Sequence, residues 1–328
     1  MGRRDQPPLS LLVAAWWSSA VVAVMTSKVC LSNGLDPLHL FVFQFEISTL
    51  LLWLLLWLNH MPRELTGEVW LVYKVAGSYA AAFVCTNLAF SLSSTPFVEA
   101  VKAGEPLTTC LLSALWLGQI ERGATYLSLV PIMLGVFLVS YSAEGEFRRD
   151  ALLATLASNV GFSARAVLAK QLRQDFPQSC CAKSDLVLFY HVSLYGLLFL
   201  LPLVVLRDGY SALSGLPVFG VQLDSNLSTA ALMSVAALNG VCFAVYNGAS
   251  FAVLSHVSAN SHAALNLLRR VVIICTSALF FSVQIRAVHA AGIALALAGG
   301  LLHARVRLRA AAAADYLQLA NFDKLRVV

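Results

Sequence analysis

An all-α membrane protein of ten transmembrane helices, arranged as a 5+5 inverted repeat, is the fold class this sequence predicts. Three observations carry it. The 328 residues are 59% hydrophobic and 12% charged, with a mean hydropathy of +0.76, a balance typical of membrane chains rather than soluble domains. Ten apolar stretches follow one another, each close to the roughly 20 residues that cross a bilayer as a helix. A short motif before the fifth stretch returns before the tenth, half a chain later.

The first stretch, roughly 9–31, is too long and too uncleavable-looking for a signal peptide, and the few residues before it leave no room for a transit peptide. Lys28 lies near its end, where a long side chain can snorkel to the interface. The second stretch is about 38–58. The third, 69–92, has Lys74 near its start and the polar pair Thr86-Asn87 near its end. The fourth, 95–116, opens at Thr95-Pro96 and reads Glu99-Ala-Val-Lys102-Ala-Gly-Glu105-Pro106. Its three charges are spaced by three, so they can neutralise one another on one face. Pro106 should break the helix mid-membrane, which is tolerated where backbone lines a cavity. On that second reading Lys102 faces water and binds an anion.

The fifth stretch, 123–142, follows Gln119-Ile-Glu-Arg122, and the sixth, 150–171, holds Arg165 at mid-segment. His191 in the seventh, 185–206, has no recognisable context. The connection 207–228 is the long one, and it contains the sequon Asn226-Leu-Ser. The eighth stretch, 229–255, carries Tyr246-Asn247, a pair that interhelical hydrogen bonding alone can explain. The ninth, 258–282, holds His262, Asn266 and the adjacent Arg269-Arg270. Each arginine at a helix centre costs roughly 2.5–3.5 kcal/mol on insertion scales, and arginine cannot shed its proton. The plainer reading pairs one with Glu46 or Glu105 and lets the other snorkel. The sharper one brings an anion here, because the guanidinium fork matches phosphate oxygens in pairs. The tenth stretch, 286–304, follows Gln284-Ile-Arg286.

From Arg122 to Arg286 is 164 residues, and at that offset Gly135-Val-Phe-Leu faces Gly299-Gly-Leu-Leu. Lys102 then falls opposite position 266, about one turn from Arg269. Five helices per half force opposite orientations, the inverted repeat of secondary transporters with a site near the midplane. Residues 1–328 read as one polytopic domain with half-repeats of about 9–142 and 150–304 and a cytosolic tail at 305–328. Lys and Arg in the connections favour one side by twelve to four, which places both termini in the cytosol. The net charge of +5 is therefore loop bias plus intramembrane cations, with no bearing on nucleic acid. Seven cysteines show neither a disulfide framework nor metal-ligand spacing, Cys180-Cys181 included. Tyr316-Leu-Gln-Leu has the form of a tyrosine sorting signal. No nucleophile–base pair is in view, so an enzyme is not expected, and no cofactor is implied.

Several of these motifs occur in the order and spacing of one family. Val101-Lys-Ala-Gly-Glu-Pro106, Tyr126-Leu-Ser-Leu-Val-Pro-Ile132, Ser158-Asn…Arg165, Tyr246-Asn247, Ser261-His262 and Asn266-Leu-Leu-Arg-Arg-Val271 resemble the plastidic phosphate translocators. These are sugar-phosphate/phosphate antiporters of the drug/metabolite transporter superfamily. The resemblance runs from about Thr86 through the tenth helix. It implies an alternating-access antiporter exchanging a phosphorylated sugar or C3 metabolite for inorganic phosphate. Lys102, Arg269 and Arg270 would bind phosphate, with Arg165, Tyr246 and Thr86 completing the pocket and Glu99, His262 and Asn266 as modulators. Two departures stand out: Arg269 where the family usually has Lys, and Glu99 where it usually has His. The membrane would be one bounding a plastid. The alternative is a nucleotide-sugar antiporter of Golgi or other endomembranes, from the same superfamily. Three or more unpaired cations would make an empty site costly to close, so that only the loaded carrier should cross and exchange should be obligatory.

Overall fold

The computed structural model describes residues 8–62, 64–65, 67–118, 120–121, 123–141, 149–213, 227–254, 256–257 and 259–326, with no strand among them. In chain order the helices are α1 (Leu9–Ser32), α2 (Pro37–Leu58), α3 (Val69–Leu92), α4 (Thr95–Lys102), α5 (Glu105–Leu117), α6 (Gly123–Leu127), α7 (Val130–Tyr141) and α8 (Arg149–Asp175). They continue as α9 (Cys180–Lys183), α10 (Asp185–Leu213), α11 (Thr229–Leu254), α12 (Ala259–Phe280) and α13 (Ala287–Arg326). Seven of them, α1, α2, α3, α8, α10, α11 and α13, are long and apolar enough to cross a membrane. The chain is an all-α, multi-pass membrane protein. The other three expected stretches differ from simple spans. Stretch 95–116 is divided into α4 and α5, stretch 123–142 into α6 and α7, and α12 carries polar side chains through its middle. Asn226 and Arg122 lie outside the described residues, as does Gln119, and Tyr316 lies on α13, which runs on unbroken to Arg326.

The break between α4 and α5 falls at Ala103-Gly104, just ahead of Pro106. A carbonyl freed in the bilayer needs another donor, and α8 supplies one. The Asn159 amide donates to the Val101 carbonyl at 3.1 Å, while Thr108 and Thr109 hydroxyls donate to the Glu105 carbonyl at 2.9 and 3.0 Å. Buried aromatic side chains fill the centre between α2, α3, α8, α10 and α11, with Phe41, Phe45, Tyr79 and Phe243 almost fully enclosed. A second apolar cluster joins α1, α4 and α13.

The long pairings are α3 with α8, α1 with α11, and α7 with α13. Small residues let backbones approach closely in such pairs. At Gly135 an added Cβ would collide with the Ala296 backbone, and at Gly299 it would lie 2.7 Å from the Ile132 nitrogen. Both glycines thus belong to the α7–α13 contact. Gly135→Val should separate these helices and lower the thermal midpoint by several degrees, a loss of about 1–3 kcal/mol by overpacking. Fluorescence-monitored unfolding in detergent checks this, with the exposed Gly123→Ala as the matched control.

Between α1 and α2, Asp36 caps α2 by accepting from the Leu38 amide at 2.9 Å, and its carboxylate also meets Arg207 of α10. His39 joins this group through Asp208 at 3.1 Å. Burial alone would raise the Asp36 carboxyl, but Arg207, the Leu38 N–H and His39 outweigh it and hold the carboxyl below its ordinary value. Its contribution to stability is therefore present above the unfolded value of about 3.9 and is lost as pH falls through the lower folded value. Asp36→Asn keeps the cap but removes the charge. Its thermal midpoint should fall below that of the parent at pH 7, and the gap should narrow as pH drops below about 4.

Candidate functional site

A cavity of about 380 Å³ lies at the centre of the helices, within the range of small-molecule sites. All nine residues singled out from the sequence line it: Thr86 from α3, Glu99 and Lys102 from α4, Arg165 from α8, Tyr246 from α11, and His262, Asn266, Arg269 and Arg270 from α12. The helix break explains the α4 contribution. It ends α4 at Lys102 and starts α5 at Glu105, so a cation sits at a helix C-terminus and a carboxylate at a helix N-terminus, each where the backbone dipole favours it.

The two arginines part company because adjacent helical residues point about 100° apart. Arg270, 5% exposed, turns to α4 and α5. Its Nη1 donates to Glu99 Oε2 at 2.8 Å and its Nη2 to Glu105 Oε2 at 3.1 Å. Arg269 turns the other way. Its Nε and Nη2 donate to Asn266 Oδ1 at 3.0 and 2.9 Å, and its guanidinium carbon lies 5.9 Å from the Trp16 ring and 5.8 Å from the Tyr246 ring. It does not snorkel. Among the described residues, Glu46 pairs with neither arginine. Lys102 leaves the acidic face of its own helix. Its Nζ donates to Thr86 Oγ1 at 3.2 Å and lies 4.8 Å from the Phe162 ring centre. Thr86 in turn shares a 2.7 Å hydrogen bond with Ser158. Arg165 lies over the Tyr79 ring at 5.2 Å, and its buried Nε finds no hydrogen-bond acceptor among the described residues.

The expected group of bare cations is thus resolved into one carboxylate-bound arginine and three cations held by hydroxyl, amide or aromatic groups. Counting Lys, Arg and Glu, the lining has four cations and two carboxylates, an excess of two positive charges.

Two aromatic participants were invisible in the sequence. Trp16 stacks on His262 with ring centres 4.6 Å apart, while His262 Nε2 is 3.0 Å from Ser250 Oγ. Tyr79 donates to Asn247 Oδ1 at 2.9 Å across the cavity and is the shelf for Arg165. Aromatic residues in membrane helices are usually packing, so neither carried a signal. Glu105 was in view only as a neutralising partner. Away from the cavity, Glu68 meets Cys180 and Cys181 with ligand atoms within 4.8 Å of one another, a convergence that sequence spacing did not show. Those three groups are one short of a closed structural zinc set, and Glu68 already accepts from the Ser179 hydroxyl. His191 lies elsewhere, stacked on Tyr195.

Fold and cavity together define a multi-pass helical membrane protein with a central, cation-rich chamber. The chain belongs to the Triose-phosphate Transporter family, whose sequence model matches residues 8–304. Among curated relatives it is 30% identical to phosphoenolpyruvate/phosphate translocator 3, chloroplastic, of Oryza sativa subsp. japonica, covering 91% of this chain and 74% of that protein. It is 28% identical to the triose phosphate/phosphate translocator, non-green plastid, chloroplastic, of Brassica oleracea var. botrytis, covering 91% and 73%. It is 26% identical to the xylulose 5-phosphate/phosphate translocator, chloroplastic, of Arabidopsis thaliana, covering 90% and 70%. One crystal structure superposes with a TM-score of 0.53 at 14% identity, over 89% of this chain and 97% of its own, and that likeness bears on the fold.

Proposed function

We propose that this chain is a secondary carrier that exchanges a phosphorylated sugar or C3 metabolite for inorganic phosphate by alternating access. The observation that carries the reading is the cavity charge: two positive charges in excess, matched by one phosphate dianion. Lys102, Arg165 and Arg269 hold the phosphate, and Arg270, fixed by its carboxylates, forms the wall beside them. Tyr246, Thr86, His262 and Asn266 shape the remainder of the pocket around the carbon skeleton. Names of relatives from plastids support this substrate class and a membrane bounding a plastid.

The reading includes ten membrane passes, with α4–α5 and α6–α7 each making one interrupted pass and α12 a continuous one. The packing pattern supports the five-plus-five repeat. Exchanging each pass with the one five later turns the α3–α8 pairing into the α11–α1 pairing, and returns α7–α13 and α4–α12 to themselves. Both termini face the cytosol by the cation bias of the connections.

Uptake of labelled phosphate into phosphate-loaded liposomes containing the full chain tests the function, with triose, pentose and hexose phosphates and phosphoenolpyruvate as competitors. Saturable uptake blocked by phosphate esters is the expected result. Absence of uptake above protein-free vesicles rejects the reading. Stronger competition by nucleoside monophosphates than by any sugar phosphate would replace it with nucleotide-sugar exchange.

A further inference from the structure

We propose that Glu99 and Glu105 form a tethered counter-anion for Arg270, which lets the unloaded carrier reorient and gives this chain net uptake of phosphate ester beside exchange. The proposal rests on the carrier reading above. Its geometric basis is the fork of Arg270. Two N–H groups meet two carboxylate oxygens, at 2.8 Å from Glu99 and 3.1 Å from Glu105. That arrangement reproduces what two oxygens of one phosphate offer a guanidinium. The Glu99 pair is buried on both sides, with side chains 6% and 4% exposed, and it joins α4 to α12 across the two proposed half-repeats.

The alternative to such a device is strict coupling. A carrier with uncompensated buried cations cannot close without cargo, because each charge removed from water needs a partner. Here three of the four cations have a hydrogen-bonding partner inside the protein, and Arg165 has an aromatic face while its Nε lacks an acceptor among the described residues. Arg270 has two carboxylates. Arg269 has the Asn266 oxygen and the faces of Trp16 and Tyr246. Lys102 has the Thr86 hydroxyl and the Phe162 face, and Arg165 has the Tyr79 face. Aromatic faces hold cations well once water is excluded. The carboxylates also halve the positive charge of the chamber, from four to an excess of two. The empty chamber therefore closes on itself, and phosphate accelerates the return step without being indispensable to it. Such a cycle moves the charge of one dianion across the membrane each turn, so net uptake needs a compensating ion flow.

The test compares initial rates of labelled phosphate uptake into liposomes with and without internal phosphate, with potassium and valinomycin present to carry compensating charge. For the parent chain, uptake into empty vesicles should lie within about tenfold of uptake into loaded ones. Glu99→Gln should lower the empty-to-loaded ratio about tenfold or more, since it strands part of the arginine's charge, and Glu99→Asp should retain the parent ratio. The ratio is taken within one preparation, so a smaller folded fraction scales both rates alike. If Glu99→Gln gives no uptake at all, Glu105→Gln replaces it with the same expected fall. Uptake by the parent into loaded vesicles alone, or an unchanged ratio in the variant that is read, overturns the proposal while leaving the carrier reading standing. Failure of uptake into both kinds of vesicle by the parent rejects the carrier reading itself.

Discussion

Arg269→Ala should abolish at least about 99% of phosphate-ester uptake while leaving the protein folded. Among the described residues Arg269 is a cavity cation with no carboxylate of its own, hydrogen-bonded to Asn266 one turn back and flanked by two rings. Two charge-assisted hydrogen bonds to phosphate are worth roughly 3 kcal/mol or more, about 100-fold in binding. Nothing charged is left stranded by the truncation, so the thermal midpoint should move by only a few degrees. Arg269→Lys keeps the charge but loses the fork, and should retain a measurable fraction of the rate. Full uptake by Arg269→Ala in the vesicle assay would remove this residue from the substrate site.

Arg270→Ala should fail differently, through the fold. It leaves Glu99 and Glu105 without their partner beneath the surface, and breaking one side of a buried pair costs about 3–5 kcal/mol. The expected result is a midpoint lowered by roughly 10 °C, or loss of a monodisperse peak in detergent. A triple variant, Arg270→Met with Glu99→Leu and Glu105→Gln, should recover the midpoint, because an apolar replacement of a buried ion network is often neutral. An Arg270→Ala protein as stable as the parent would show that the bridge contributes little to folding.

The neighbouring arginines illustrate how far a sequence can be read. Their cost in a membrane is local and additive, so their presence at a site is legible from hydropathy and charge alone. Their separate duties are not. Arg270 takes its partners from residues 171 and 165 positions earlier, and only the packing of α4 against α12 brings them near. The same limit explains Lys102. A spacing of three puts its amine on the face of Glu99 and Glu105, but α3 and α8 offer Thr86 and Phe162, and these take the amine instead. Apolar length made most helices visible, and Pro106 announced the interruption after Lys102. The carbonyls that the interruption frees, and the Asn159 amide that meets one of them, belong to tertiary structure. Trp16 and Tyr79 look like every other aromatic of a membrane helix until their neighbours are known.

The interruption at Ala103-Gly104 also bears on sidedness. In an inverted repeat, inward and outward states are related by letting the two halves trade conformations, which would give both faces of the membrane the same affinity. The α4–α5 pass is broken, while α12, its counterpart in the proposed repeat, runs from Ala259 to Phe280 without a gap. The trade is therefore unequal. Lys102 rides at the end of a short lever, whereas Arg269 is fixed in a rigid rod. The Michaelis constant for one substrate should accordingly differ between the two faces, with a compensating difference in maximal rate, because the direction of net flow follows the gradients alone.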